Sequence, residues 1–171
     1  APNIREIVSL SGTGNDQYTL RLGNSGVQDK FNWALDTTGT DISVLSNTIS
    51  LDTWYLVGGT FLNGAAALYV NGVQHNTGSG GGTLIAQAGN NLYVGARAGN
   101  TRFFDGQIAA VLIWRRGLLG VEVADYLHPE GGPWGAFTPS RNLLGMPSAA
   151  VLAAVANRAL MRTPGIPTRW R

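Results

Sequence analysis

The sequence predicts an all-β domain made of antiparallel strands. Glycine accounts for 24 of the 171 residues and charged residues for only 13%, whereas soluble domains contain on average about 7% glycine and about 25% charge. Short apolar or alternating segments recur between turn signals, and no helical pattern separates them. This arrangement is typical of a β-sandwich or barrel, and the length suits one domain with its own core.

Strand signals follow one another along most of the chain. Residues 17–22 and 31–35 alternate between apolar and polar side chains, as half-buried strands do. The pairs Asn63-Gly64 and Asn71-Gly72 suit the positive φ angles of type I′ hairpin turns. Residues 107–114 are almost continuously apolar, which predicts a central strand. In chain order, the predicted strands cover 17–22, 31–35, 54–61, 66–70, 73–75, 91–96 and 107–114.

Two further segments depart from the strand pattern. Residues 77–83 are rich in glycine, serine and threonine, which predicts an exposed loop that cannot pack. Residues 121–127 predict a short helix that ends before Pro129. The side chains expected to turn inward at this helix are Leu118, Val121, Val123 and Leu127.

Two changes of composition coincide near residues 129–133 and indicate a boundary. Residues 1–130 contain seven basic and ten acidic residues, a net charge of −3, whereas residues 131–171 contain five arginines and no acid, a net charge of +5. Six of the seven prolines lie within the last 43 residues. We therefore expect a β-sandwich over residues 1–130 and an extended, proline- and arginine-rich C-terminal arm over residues 131–171.

Four segments share an order and spacing that carry a family resemblance. They are Trp54–Phe61, Leu68–Val73, Leu92–Arg97 and Phe104–Ile108. Together they resemble the laminin-G/pentraxin branch of the concanavalin A-like jelly rolls, over residues 5–128. The resemblance implies an antiparallel jelly-roll β-sandwich, closed by a helical turn around Glu122. Members usually have one or two strands before the position of Ile7–Leu10, so either the chain is a piece of a longer product or another segment completes the sheet.

The segment Pro133–Pro139 carries a second resemblance. Its pattern, Pro-Trp-x-x-Phe-x-Pro directly after the jelly roll, is similar to the tail of laminin-G-like proteins of tailed bacteriophages. This resemblance implies a virion protein. The jelly-roll resemblance alone indicates fold rather than function, since lectins, adhesion modules, glycan hydrolases and structural proteins all share it.

The sequence contains no pattern typical of a catalytic site, and we expect a protein that is not an enzyme. The resemblance implies that a glycan hydrolase would place paired carboxylates on one strand, as Glu-x-Asp-x-x-Glu, and the sequence has no such run. Glu122, Asp125 and Glu130 lie on the terminal helical turn and the linker, as a solvated face would. Nothing in the sequence indicates a carboxylate that braces His75 or His128.

Calcium is the metal that the resemblance implies, held by aspartate side chains and backbone carbonyls at a sandwich edge. The candidates are Asn15-Asp16, Asp41 and Asp105. Because no clustered Asp/Asn loop occurs, we expect at most a weak Ca²⁺ site, assign no metal ligand and expect no cofactor.

A glycan site on a β-sandwich needs an exposed aromatic platform with amide and charged groups beside it. Residues 97–104 offer such groups on one loop, and Trp33 is a second candidate platform. The glycan-binding candidates are Trp33, Arg97, Asn100, Arg102 and Phe103. The alternative is that Phe103 or Phe104 plugs the end of the sandwich while the arginines keep the loop soluble.

The arm is expected to bind other proteins. Residues 148–162 predict a short helix, capped by Ser148, that is too short to be stable alone. The positive charges of the arm are spread along it and have no aromatic side chains interleaved between them. This pattern disfavours nucleic acid as the binding partner and favours an acidic protein surface. The alternative is that the arm wraps its own sandwich. The expected contact residues are Trp134, Phe137, Arg141, Val151, Leu152, Val155, Arg158, Arg162, Arg169, Trp170 and Arg171.

These features favour a non-enzymatic structural protein of a bacteriophage virion, either a capsid decoration or a tail-associated subunit at the particle surface. The arm would dock on neighbouring virion proteins, and the chain would form a homo-oligomer. The alternative is a carbohydrate-binding adhesion module that recognises a cell-surface glycan. No apolar run approaches the roughly 18–20 residues of a membrane span, and the lack of cysteine excludes disulfides and thiolate chemistry.

Overall fold

Ten strands in two antiparallel sheets and one helix form the described part of the chain, which in this computed structural model comprises residues 4–12, 16–24, 26–50, 52–126 and 154–158. The strands are β1 (Arg5–Ser11), β2 (Asp16–Asn24), β3 (Val27–Leu35), β4 (Ile42–Leu45), β5 (Tyr55–Leu62), β6 (Ala65–Val70), β7 (Val73–Ser79), β8 (Asn91–Val94), β9 (Gln107–Leu112) and β10 (Ala154–Arg158), and the helix is α1 (Gly120–Tyr126). The first sheet has the order β4-β3-β2-β1-β8 and the second β7-β6-β5-β10-β9. The predicted antiparallel β-sandwich is confirmed.

The core lies between the two sheets and is built by alternation along the strands. Leu20 in β2 lies opposite Trp33 in β3, and Trp33 lies opposite Val44 in β4. All three are buried in one cluster with residues of the second sheet such as Val57 and Leu68. Because the strand period is two, the polar residues between these positions lie on the outer face of the first sheet.

Two tight hairpins join β5, β6 and β7, as the Asn-Gly pairs predict. Asn63 and Gly64 have φ angles of 51° and 79°, and Asn71 and Gly72 have φ angles of 51° and 78°. These left-handed values are those that a type I′ turn requires at both central positions. Each turn fixes the register of the strands that it joins, with Val70 opposite Val73 across the second turn.

The prediction that residues 77–83 form an exposed loop that cannot pack is wrong for residues 77–79, which belong to β7, whereas residues 80–83 form a loop in which residues 81–83 are exposed. β7 continues to Ser79 and packs near β4, a strand that no sequence pattern predicted. A Cβ on Gly78 would lie 3.1 Å from the Val44 side chain. At Gly80 a side chain would collide with the carbonyl group of Thr40, and the Thr40 N–H donates to the Gly80 carbonyl oxygen at 3.0 Å. Glycine is needed here because two backbones approach each other directly.

The helix α1 covers the outer face of the second sheet. Its Val123 and Tyr126 are buried against Tyr69 of β6, and the ring of Tyr126 stacks on that of Trp114 with centroids 5.2 Å apart. The predicted helix is confirmed at nearly the expected bounds. Within the part of the chain that the structure describes, no helix is long and apolar enough to cross a lipid bilayer.

Two details of the helix differ from the sequence-based expectation. Leu118 is buried as predicted, but Val121 is 73% exposed, while Leu127 lies outside the described residues. Glu122 is not a freely solvated acid, since its carboxylate binds the Arg116 guanidinium at 2.7 Å. This pair ties the first turn of α1 to the segment that leads into it.

The helix predicted over residues 148–162 is wrong for residues 154–158, which form β10. This strand lies between β5 and β9 and pairs antiparallel with both. Main-chain pairing on two sides outweighs the helix propensity of alanine, which differs from that of other residues by only about 0.7 kcal/mol or less. β9, predicted to be central, is the last strand in the order of its sheet. The boundary near residue 130 stays a prediction.

The contact between Trp33 and Gly59 of the facing sheet generates a stability prediction. A Cβ at Gly59 would overlap the indole ring, whose Nε1 donates to the Thr60 carbonyl oxygen at 3.2 Å. Gly59→Ala is therefore expected to lower the free energy of unfolding by about 1–3 kcal/mol through overpacking. Urea unfolding followed by tryptophan fluorescence measures this change.

The matched control is Ala65→Ser, which also adds one heavy atom to a strand residue but at an exposed site. It should change the free energy of unfolding by less than about 0.5 kcal/mol. If Gly59→Ala unfolds at the same urea concentration as the wild type, the close packing of the two sheets is not what holds this part of the fold.

Candidate functional site

The outer face of the first sheet, here called the polar face, carries polar side chains that are shielded from solvent. They alternate with core residues along β1, β2 and β3. The buried members are Glu6, Ser9, Ser11, Thr19 and Asn32. Because buried polar groups need hydrogen-bond partners, a segment that covers this face must supply them.

Residues 95–104, between β8 and β9, form this covering loop. The Ser9 hydroxyl donates to the Ala96 carbonyl oxygen at 3.1 Å. The Ala98 N–H donates to the Ser11 hydroxyl oxygen at 3.2 Å. The loop is therefore held to β1 by side chains that the strand alternation places outward.

Glu6 is the most deeply buried charged group of the polar face, with no exposed surface. Its Oε1 lies 3.1 Å from Arg102 Nη1 and 3.8 Å from Arg21 Nη1, while Oε2 receives no hydrogen bond from the described residues. Burial raises the pKa of the Glu6 carboxyl above its ordinary value, although both guanidinium groups act to lower it. Burial likewise lowers the pKa of Arg21. The ion pairs thus offset only part of the desolvation cost.

A second ion pair anchors the covering loop to the start of β2. Arg97 Nε donates to Asp16 Oδ1 at 2.8 Å, and Arg97 Nη2 lies 2.8 Å from Asp16 Oδ2. Two parallel bonds of this kind fix the orientation of both groups. Arg97 and Arg102 therefore position the loop and are engaged with carboxylates.

A cavity of about 200 Å³ opens on the polar face and shares Asp16 with the loop anchor. Its polar lining consists of three carboxylates, one guanidinium and two hydroxyls, from Asp16, Asp36, Asp41, Arg21, Thr19 and Ser43. We call this space the aspartate cavity.

Neighbouring side chains hold two groups of the aspartate cavity in place. Arg21 Nε donates to Asn32 Oδ1 at 2.9 Å, and Asn32 Nδ2 donates to Ser43 Oγ at 2.8 Å. The buried hydroxyl of Thr19 has no hydrogen-bond partner among the described residues. A buried hydroxyl without a partner is costly, so Thr19 lowers the stability of this part of the polar face.

The electrostatics of the aspartate cavity raise the pKa of one of its carboxyl groups. Burial raises the pKa of Asp36, and the charges of Asp41 and Asp16 raise it further. Asp41 Oδ1 accepts the Thr37 N–H at 3.1 Å, which orients it. The cavity thus combines hydrogen-bond acceptors, a cationic donor and hydroxyls, a set that suits a neutral polyhydroxylated ligand.

The calcium candidates within the described part of the chain lie at different places. Within the described residues, no group of three or more His, Cys, Asp or Glu side chains is arranged to hold a metal ion. Asp16 and Asp41 line the aspartate cavity, whereas Asp105 is exposed beyond the covering loop. Asn15 lies outside the described residues.

The predicted glycan-binding residues differ in whether the structure exposes them to solvent. Trp33 is not an exposed platform: it is fully buried, and this prediction is wrong because the alternation of β3 turns the indole into the core. Asn100 and Phe103 are exposed on the covering loop, Phe103 by 62%. Phe104 is half-buried and packs against the core, so it is the residue that plugs the sandwich.

The predicted arm residues are only partly described. Val155 and Arg158 lie in β10, within the second sheet. The remaining candidates lie outside the described residues, namely Trp134, Phe137, Arg141, Val151, Leu152, Arg162, Arg169, Trp170 and Arg171.

The buried Glu6 carboxylate generates a pH prediction. Its pKa in the folded state is raised above the ordinary 4.5, so the folded state binds a proton more tightly than the unfolded chain does. Its contribution to stability is therefore full below about pH 4.5 and is lost as the pH rises through the folded pKa. Glu6→Gln has the shape of the protonated acid, so the stability of the variant relative to wild type should increase from pH 4 to pH 7.

Urea unfolding at each pH measures this difference, whose slope has an upper limit of about 1.4 kcal/mol per pH unit for one proton. Asp29→Asn, the same acid-to-amide change at an exposed site on β3, is the control for the loss of one surface carboxylate. A difference for Glu6→Gln that falls with pH would mean that the pairs with Arg21 and Arg102 outweigh desolvation.

Comparison with known proteins agrees with this architecture. The family model described as the concanavalin A-like lectin/glucanases superfamily, of the laminin-G type, matches residues 2–124, which is more than half of the chain. No curated protein and no solved structure matches significantly. The matched range contains both the polar face and the covering loop. The chain therefore belongs to the laminin-G type of the concanavalin A-like lectin/glucanase superfamily.

Proposed function

We propose that this protein is a non-enzymatic carbohydrate-binding or adhesion module and that the aspartate cavity binds one residue of a cell-surface glycan. The observation that carries the proposal is the polar lining of this cavity. Its fold is that of lectin-like and adhesion modules. The exposed Asn100 and Phe103 of the covering loop offer further contacts for the rest of a glycan chain.

The chemistry of the cavity favours a sugar over other small ligands. Sugar hydroxyls donate hydrogen bonds, and carboxylates such as Asp16 and Asp41 are strong acceptors for them. Ser43 and Arg21 supply a hydroxyl and a cationic donor for the oxygens of the sugar. The volume of about 200 Å³ is smaller than the roughly 300–1,000 Å³ of pockets for drug-sized ligands, and so suits a single ring.

A role in a bacteriophage virion is the second part of the proposal. It rests on the resemblance of Pro133–Pro139 to the tails of phage laminin-G-like proteins, and these residues lie outside the described part of the chain. In that setting the protein would sit at the particle surface as a capsid decoration or tail-associated subunit. The sandwich would present the aspartate cavity outward, and residues 131–171 would contact neighbouring virion proteins or other copies of the chain.

Glycan binding is tested first on an array and then by titration calorimetry with the best-bound oligosaccharide. Asp36→Asn keeps the shape of the side chain but removes a charged acceptor, whose hydrogen bond is worth about 1.5–3 kcal/mol. The variant should therefore bind about 10- to 100-fold more weakly.

The matched control is Asp105→Asn, the same chemical change at an exposed aspartate outside the cavity. Its affinity should equal that of the wild type. Absence of binding to every glycan at high protein concentration, or equal affinity of Asp36→Asn and wild type, contradicts the proposal. Release of reducing sugar that Asp36→Asn abolishes would make the protein a hydrolase instead.

A further inference from the structure

The strand β10 occupies an unusual place between β5 and β9. Residues 155–157 pair with β5, and residues 154–158 pair with β9. In the described part of the chain, β9 has no other strand as a neighbour. A segment from the end of the chain therefore completes the second sheet and connects β9 to the rest of it.

Without β10, the second sheet contains an open slot. The facing edges of β5 and β9 would each expose unpaired N–H and C=O groups, which are a template for an added strand. Strand addition of this kind takes its affinity mainly from main-chain hydrogen bonds. The slot belongs to the sandwich, whereas the strand that fills it comes from residues 131–171.

The connection to β10 is long enough to reach beyond one sandwich. The 27 residues from 127 to 153 separate α1 from β10 and contain four prolines. A chain of 27 residues spans at most about 90 Å. A domain the size of the sandwich, about 130 residues, has a radius of gyration of only about 14 Å. The same strand can therefore reach the slot of an adjacent copy.

Electrostatic attraction does not favour the sandwich of the same chain over that of another copy. Residues 1–130 carry a net charge of −3 and residues 131–171 a net charge of +5, so the basic segment is attracted equally to any copy of the acidic one. Insertion of β10 into the slot of its own chain is favoured by the effective concentration that the covalent connection, here called the tether (residues 127–153), provides. This effective concentration falls as the tether lengthens.

We infer that the slot between β5 and β9 accepts β10 of a second copy, so that chains associate by exchanging their C-terminal strands. The exchanged and the closed forms contain the same strand pairs, so the balance between them depends on protein concentration. Exchange should dominate where copies are crowded, as on a surface that carries many of them. This interface is independent of the aspartate cavity, which lies on the other sheet.

The experiment uses the absence of cysteine from the natural chain. Gln107 in β9 and Arg158 in β10 are paired in register, so one chain receives Gln107→Cys and another receives Arg158→Cys. The two are unfolded, mixed in equal amounts, refolded at several concentrations and mildly oxidised. We expect a covalent heterodimer of twice the 18.0 kDa chain mass, in a yield that rises with concentration.

Three comparisons make the result decisive. A chain that carries both cysteines closes within one molecule at low concentration. Pairing Arg158→Cys with Asp29→Cys, an exposed site on the other sheet, measures random collisions. A heterodimer yield no greater than this background at every concentration overturns the inference, and so does failure of the double-cysteine chain to close. The pair Leu56→Cys and Ala156→Cys repeats the test on the β5 side of the slot.

A strand-breaking variant supplies an independent readout. Proline at position 156 removes a main-chain donor in the middle of β10. Light scattering at high concentration should then show monomers for Ala156→Pro and oligomers for the wild type. Tryptophan fluorescence checks that the core around Trp33 persists. Oligomers of Ala156→Pro equal to those of the wild type would contradict strand exchange.

Discussion

The Trp33 indole packs directly on Gly59 of the facing sheet, and the inward orientation of this side chain determines where the polar groups of its strand lie. Because Trp33 faces inward, the period of the strand turns its neighbour Asn32 outward. The same rule places Leu20 in the core and Thr19 and Arg21 on the opposite face. The polar face is therefore a consequence of how the core is filled, since every second side chain of these strands must leave it.

Burial of that polar face couples the fold to the candidate site. The covering loop shields Glu6 with Arg102 and binds Asp16 through Arg97, so two arginines serve the position of the loop. Asp16 belongs both to this anchor and to the lining of the aspartate cavity. The Asp16 carboxylate therefore contributes both to the charge of the aspartate cavity and to the position of the covering loop, which carries Phe103.

Local patterns predicted most of the strands, both Asn-Gly turns and the helix, because each depends on residues close together in sequence. The alternation of β3 also placed Trp33 on one face with Phe31 and Leu35, and this pattern pointed inward rather than to a glycan platform. The aspartate cavity had no such signal. Asp16 and Asp41 are 25 positions apart, and only the strand register brings them to one place. The close backbone approach at Gly80 likewise depends on a distant segment.

The same distinction explains why β10 was predicted as a helix. Its two alanines carry little strand preference and its single valine favours a strand only locally, so what makes the segment a strand is the pair of open edges on β5 and β9. Main-chain hydrogen bonds depend little on the side chains of the inserted strand. The slot between β5 and β9 therefore binds β10 of its own chain and β10 of another copy through the same contacts. Selection between them must therefore come from the tether and from the density of neighbouring copies. The sequence of one chain therefore contains every strand of the second sheet, but the β10 that completes this sheet can come from the same chain or from another copy.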